Sequence, residues 1–197
     1  MSSSELQRSH TTDDFGHFFK SWLRNPLAMG AFAPSGRSLT KLMASAVGPG
    51  SRVLELGAGT GTVTAALLAT GMRPEDLHVV ESNPALVKIL ERRFPRSSVL
   101  STDALALEDS FGREPRFDFV ISGLPLLLFT PEQRLRVLAQ AFALLGPAGC
   151  LHQFTYGGRC PIDRDLRSAL RIESTLLGIA ALNLPPAFVY RLTHAIG

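Results

Sequence analysis

At 197 residues, with 45% hydrophobic and 19% charged positions, the chain has ordinary globular composition and enough length to bury one sizeable core. No run of about 18 uninterrupted apolar residues occurs, which excludes a membrane-spanning helix. The polar start Met1-Ser2-Ser3-Ser4-Glu5 lacks the basic flank and apolar centre of an export signal. Cys150 and Cys160 are too few for a disulfide scaffold, and the five histidines are scattered with no two at ligand spacing, so no metal is expected. A net charge of +3 and a pI of about 9.2 favour an anionic partner, membrane surface or nucleic acid, without choosing between them.

Residues 1–13 are polar and expected to fray. From there Phe15, Phe18, Phe19, Trp22, Leu23 and Leu27 recur at three- and four-residue spacing with Lys20 and Arg24 between them. That is an amphipathic helix, stopped near Pro26. Ser35 is placed to cap a second helix running to about Val47, ended by Gly48-Pro49-Gly50.

Arg52-Val53-Leu54-Glu55-Leu56 reads as a buried strand, followed by a glycine turn and a helix from about Thr62 to Thr70. His78–Glu81 is a second strand, and Pro84 opens a helix to about Phe94. Ser98–Ser101 and Phe117–Ser122 are the third and fourth strands. A helix from Pro131 to Leu145 precedes a fifth, Cys150–Tyr156. Strands alternating with helices predict a parallel sheet wrapped on both faces. Between Arg171 and Gly197 two apolar runs flank Asn183-Leu184-Pro185-Pro186, which predicts an antiparallel pair at one edge. The expected architecture is α/β, with a mostly parallel seven-stranded sheet. Residues 1–50 form an N-terminal tail and helices, and residues 51–197 the ligand-binding domain.

A strand ending in Glu55-x-Gly57-x-Gly59-x-Gly61 and running into a helix puts three glycines where backbone passes close to a ligand. A dinucleotide fingerprint needs glycine where Thr62 stands, and a phosphate loop needs Gly-Lys-Ser/Thr, which is absent. The acidic residue ahead of the first glycine is awkward for pyrophosphate and suits a ligand with sulfonium and ammonium groups, which points to S-adenosylmethionine. Ala58 and Thr60 complete the turn. Glu81, closing the second strand, is placed to accept both ribose hydroxyls, with Ser82 beside it. Asp103, followed by Ala104, is placed to meet the adenine amine, and Ser122 and Gly123 close the set after the fourth strand.

From Arg52 to Gly197 the chain resembles the class I methyltransferases, which have a Rossmann-like fold. Nucleic-acid and glutamine N-methyltransferases carry Asn/Asp-Pro-Pro-Tyr after the fourth strand, and rRNA adenine dimethyltransferases carry Asn-Leu-Pro-Tyr. This chain has Ser122-Gly123-Leu124-Pro125-Leu126-Leu127, so a flipped base loses its recognition groups. That segment, with Gln153-Phe154-Thr155-Tyr156-Gly157, Asn183-Leu184-Pro185-Pro186 and Asn25 through Ser35, is similar to the bacterial phosphatidylethanolamine N-methyltransferases of the PmtA type. The resemblance implies stepwise methylation of phosphatidylethanolamine toward phosphatidylcholine, with S-adenosylhomocysteine as product.

Such an enzyme is expected in the cytoplasm, peripherally bound to the inner face of the membrane. Phospholipid headgroups are its expected partner, with neither nucleic acid nor an obligatory protein. Phe19 and Trp22 would sit at the headgroup boundary while Lys20 and Arg24 meet anionic lipid. Tyr156, at the carboxyl end of the fifth strand, is the first candidate to contact the acceptor amine, with Tyr190 a weaker one. Two alternatives are an rRNA or DNA adenine N6-methyltransferase, favoured by the basic pI, and a non-catalytic membrane-docking module that keeps the cofactor pocket.

Overall fold

The computed structural model describes residues 34–112, 116–156, 158–183 and 185–195. The candidate membrane residues Phe19, Lys20, Trp22 and Arg24 lie outside them. Helix α1 (Pro34–Met43) precedes β1 (Val53–Leu56), α2 (Thr62–Leu68), β2 (Leu77–Glu81), α3 (Pro84–Arg93), β3 (Ser98–Ser101) and α4 (Leu107–Phe111). Then come β4 (Phe117–Ser122), α5 (Pro131–Ala143), β5 (Leu145–Thr155), α6 (Arg164–Leu170), β6 (Ile172–Ala180) and β7 (Ala187–His194). No helix among the described residues is long and apolar enough to cross a membrane.

The seven strands form one sheet in the order β3-β2-β1-β4-β5-β7-β6. The first five are parallel neighbours, and β7 runs antiparallel to both β5 and β6, as the two apolar runs joined without a helix require. Chain order reverses between β1 and β4, which opens a crevice at the carboxyl ends of these strands. Both faces are covered. Leu54, Leu56, Val80, Val120 and Leu151 pack with α4 and α5 through Leu107, Phe111, Val137 and Leu138. Val53, Val79, Ile121 and Val189 pack with Met43, Leu67 and Leu90 on the other side. All four residues of β1 are buried, the signature of a central parallel strand.

Helix starts follow local chemistry. Thr130 and Gln133 form a reciprocal capping box ahead of α5, and Asn83 Oδ1 accepts the Ala85 N–H at 2.9 Å to cap α3. Two helices that the sequence reading did not place, α4 and α6, are present, and several boundaries differ from expectation. Helix α1 ends at Met43, and turns carry the chain on to the buried Val47. Strand β5 begins at Leu145, where Phe117 pairs with Leu145 and Phe119 with Cys150. The intervening Gly146-Pro147-Ala148-Gly149 is looped out, because proline cannot donate to the ladder. Helix α6, capped by Asp163 Oδ1 on the Leu166 N–H at 2.8 Å, has only scattered apolar positions and escaped the periodicity.

His152 joins the layers. Its fully buried ring makes a 2.7 Å hydrogen bond through Nδ1 to the Met43 carbonyl, tying β5 to α1. Burial holds its pKa below the usual histidine range, opposed by the bond to Met43 and reinforced by Arg191. The unfolded chain therefore binds more protons below about pH 6.5, and stability is lost as pH falls through that region. His152→Phe orphans the Met43 carbonyl and should cost about 1–3 kcal/mol at neutral pH. Urea unfolding should show that penalty shrinking toward pH 5; a pH-independent penalty would mean that His152 acts by shape alone.

Candidate active site

The glycine turn leaves β1 with Gly57, Gly59 and Gly61 all at positive φ, 70°, 60° and 82°. At Gly61 a Cβ would run into Phe94 and come within 2.8 Å of Leu90 Cδ2, so this glycine lets α3 pack against the turn. At Gly59 a Cβ would meet nothing within 4 Å. That position faces open space. The Gly57 N–H donates to the Val80 carbonyl at 2.9 Å, and the Gly123 N–H to the Leu56 carbonyl at 2.8 Å. The ends of β2, β1 and β4 are thereby held side by side. The Arg93 guanidinium reaches over to the Thr60 carbonyl.

Two carboxylates lie beneath this turn. Glu81, 8% exposed, accepts the Gly59 N–H on Oε2 at 2.9 Å and the Asn83 N–H on Oε1 at 2.8 Å. Each oxygen keeps a lone pair for a further donor. Glu55, 1% exposed, accepts the Thr64 hydroxyl on Oε2 at 2.7 Å, while its buried Oε1 has no hydrogen-bond partner among the described residues. Ser82 is exposed beside Glu81. Asp103 is exposed and caps the turn at Ala104–Ala106 by accepting the Leu105 N–H at 2.9 Å. Ser122 is buried, and its Oγ accepts the Leu124 N–H at 3.4 Å. The twelve residues expected to hold the cofactor thus gather at the carboxyl ends of β1 to β4.

Next to them, Leu124–Leu127, Phe154, Thr155, Tyr156 and Pro161 line a small half-open cleft of about 10 Å³, room for about one water. The Tyr156 ring stands edge-on to Phe154 at 5.5 Å between centroids, and the buried Asn183 side chain lies near its hydroxyl. Tyr190 does not line the cleft; its hydroxyl donates to the Gly158 carbonyl at 3.1 Å and props the loop after β5. Sequence reasoning gave no role to Gln153. It is fully buried, and its Nε2 donates to the Leu124 and Phe154 carbonyls, each at 2.9 Å. Its signal was an amide beside His152 in a mostly apolar strand.

A family model described as a methyltransferase domain matches residues 53–149. An ornithine lipid N-methyltransferase from Singulisphaera acidiphila is 29% identical over 72% of this chain and 78% of its own. A probable ribosomal RNA small subunit methyltransferase A from Methanosarcina acetivorans is 33% identical over 72% of this chain, which spans only 50% of that relative. Among solved structures, the Burkholderia thailandensis 1,6-didemethyltoxoflavin-N1-methyltransferase with bound S-adenosylhomocysteine superposes with a TM-score of 0.66 at 18% identity, covering 100% of this chain and 92% of that one. The chain is a methyltransferase dependent on S-adenosylmethionine, and its fold is that of the class I enzymes.

The residues of this methyltransferase fit that cofactor. Open space above Gly59 and the orphaned Glu55 Oε1 ask for a ligand that brings positive charge and donors. Burial drives the Glu55 carboxyl up to about 7, against the hydrogen bonds from Thr64 and with the Glu81 charge adding to the rise. A folded pKa above the unfolded value of about 4.3 contributes stability below that value, and the contribution is lost as pH climbs through 7. Glu55→Gln should abolish this loss, gaining about 1–3 kcal/mol on wild type between pH 5 and pH 8 in urea unfolding. A cationic ligand favours the carboxylate. Calorimetry in buffers of different ionisation heat should therefore show the wild type releasing a proton on binding S-adenosylmethionine near pH 7, and Glu55→Gln releasing none. Equal release from both would move the linked proton to another group.

Proposed function

We propose that this methyltransferase transfers methyl groups to the amine of phosphatidylethanolamine, and of its mono- and dimethyl forms, toward phosphatidylcholine. The observation that carries this reading is the apolar cleft of Leu124, Pro125, Leu126, Leu127, Phe154 and Tyr156 beside the glycine turn. Its apolar lining suits an amine carried on a lipid and offers a planar base few polar partners. Ser122-Gly123-Leu124-Pro125 supports the same choice, since the amide and tyrosine that hold a base amine are missing. The relative named for an ornithine lipid also acts, by that name, on a lipid. Adenine methylation of rRNA is the second reading, favoured by the Methanosarcina relative and the basic pI.

When bound, S-adenosylmethionine supplies a methyl group already activated by its sulfonium. The chain's own task is to orient a neutral amine in line with that methyl and to keep the approach dry. Leu124 does part of this work at the junction of the two sites, because its side chain packs against Gly57. The product ammonium is a bulkier cation after each round, and the rings of Phe154 and Tyr156 are the aromatic surface available to it. Burial pushes the Tyr156 phenol above its ordinary range, opposed by Asn183. Tyr156 therefore stays neutral and positions the amine by its ring, and the proton leaves to water. The N-terminal aromatic and basic residues Phe19, Trp22, Lys20 and Arg24 add a membrane contact to this proposal, and the inner face of the cytoplasmic membrane is where it would act.

Tyr156→Ala should lower kcat on phosphatidylethanolamine vesicles by about a hundredfold, with S-adenosylmethionine affinity within about threefold of wild type. Tyr156→Phe keeps the ring and should recover most of the rate. A near-normal rate for the alanine variant would make this tyrosine a packing residue and move the acceptor elsewhere.

A further inference from the structure

The carboxyl edge of the sheet divides into two unlike halves. Over β1, β2 and β3 it holds the carboxylates and the glycine turn. Over β4, β5 and β7 it holds the described residues of three loops: 123–130 after β4, 156 and 158–162 after β5, and 181–183 with 185–186 between β6 and β7. Leu124–Leu127 share the cleft with Tyr156 and Pro161, and Asn183 of the third loop lies near the Tyr156 hydroxyl of the second. The three loops therefore form one surface.

In a chain that is 19% charged, the only charged residue in these three segments is Arg159. The opposite edge contrasts sharply, because Arg52, Asp76, Arg116 and Arg171 stand immediately before β1, β2, β4 and β6. The loop surface also exposes large apolar side chains, with Leu127 at 45%, Leu128 at 39% and Leu182 at 69%. Pro185 and Pro186 are exposed beside Leu182. Leu127 belongs to both features, as it lines the cleft and projects from the rim.

We infer that this rim is the face by which the protein seats on an anionic phospholipid bilayer, with Leu127, Leu128 and Leu182 entering the boundary between headgroups and acyl chains. The inference rests on the proposed lipid acceptor and goes beyond it by naming the docking face. Charge selects the occupant. Arg159, exposed on the rim, complements lipid phosphate, and a net charge of +3 adds attraction to an anionic leaflet. Nucleic acid needs several cations for its phosphates, and the three loops carry one. The small apolar cleft lies within the rim, and Leu127 is common to both. This face is separate in sequence from the N-terminal residues 15–27.

The test uses the full chain and sedimentation with vesicles of phosphatidylglycerol and phosphatidylethanolamine. Leu128→Ser with Leu182→Ser removes exposed side chains that do not line the cleft. Its vesicle affinity should fall about tenfold, with S-adenosylmethionine affinity unchanged as the check on folding. Its transfer to short-chain phosphatidylethanolamine dissolved as monomers should be unaffected, while transfer to vesicle lipid falls. Arg159→Glu should weaken vesicle binding severalfold and flatten its salt dependence. Wild-type sedimentation by both variants overturns the docking face, as does failure of the wild type to sediment or a loss of self-association alone. Methylation of lipid with rim variants that bind normally would overturn the rim and keep the acceptor. Loss of vesicle binding in the variants of a protein that methylates no lipid would keep the rim and overturn the acceptor.

Discussion

The Glu81 carboxylate accepts the Gly59 N–H at 2.9 Å and the Asn83 N–H at 2.8 Å, and through these bonds one side chain holds two elements. The first is the turn after β1, whose middle glycine sits at φ 60°. The second is the start of α3, which Asn83 caps and which packs Leu90 and Phe94 against Gly61. Neutralising Glu81 would loosen both together. The same charge also raises the pKa of the buried Glu55 carboxyl, so the cofactor side of the site holds one engaged carboxylate and one poised to ionise when positive charge arrives.

Sheet topology brings a different chemistry alongside. Because chain order reverses between β1 and β4, the loop after β4 stands next to the glycine turn, and Leu124 packs directly on Gly57. That loop is fixed from below by Gln153, whose amide donates to the Leu124 carbonyl, and from its own start by the Gly123–Leu56 bond. One half of the crevice is therefore polar and the other apolar, with a few atoms of leucine at the boundary. A reaction that joins a cationic donor to an amine on an apolar carrier needs that juxtaposition.

Much of this was legible in the residues. Short apolar runs alternating with helices located five parallel strands, and Glu55, Gly57, Gly59, Gly61, Glu81 and Asp103, the residues expected at the cofactor, stand toward the carboxyl ends of β1, β2 and β3. The antiparallel pair was legible from Asn183-Leu184-Pro185-Pro186, which leaves no room for a helix. The acceptor side was harder. Tyr156 was singled out, but its closeness to Asn183, the carbonyls taken by Gln153 and the diversion of Tyr190 to Gly158 depend on pairing across strands far apart in sequence. Helix α6 was missed because its seven residues carry no clear apolar stripe, although Asp163 signalled its cap. The start of β5 was misplaced for a related reason, since Leu145 pairs before the Gly146–Gly149 bulge and the apolar run begins after it.

The central claim is the nature of the acceptor. Labelled S-adenosylmethionine should be offered to the full chain with anionic vesicles containing phosphatidylethanolamine and with structured rRNA in the same reaction. The account predicts label in the lipid fraction, resolving into mono-, di- and trimethylated headgroups, and none in RNA. Label in RNA with an unlabelled lipid fraction would contradict it, and would assign the apolar cleft between β4 and β5 to a role other than contact with a lipid amine.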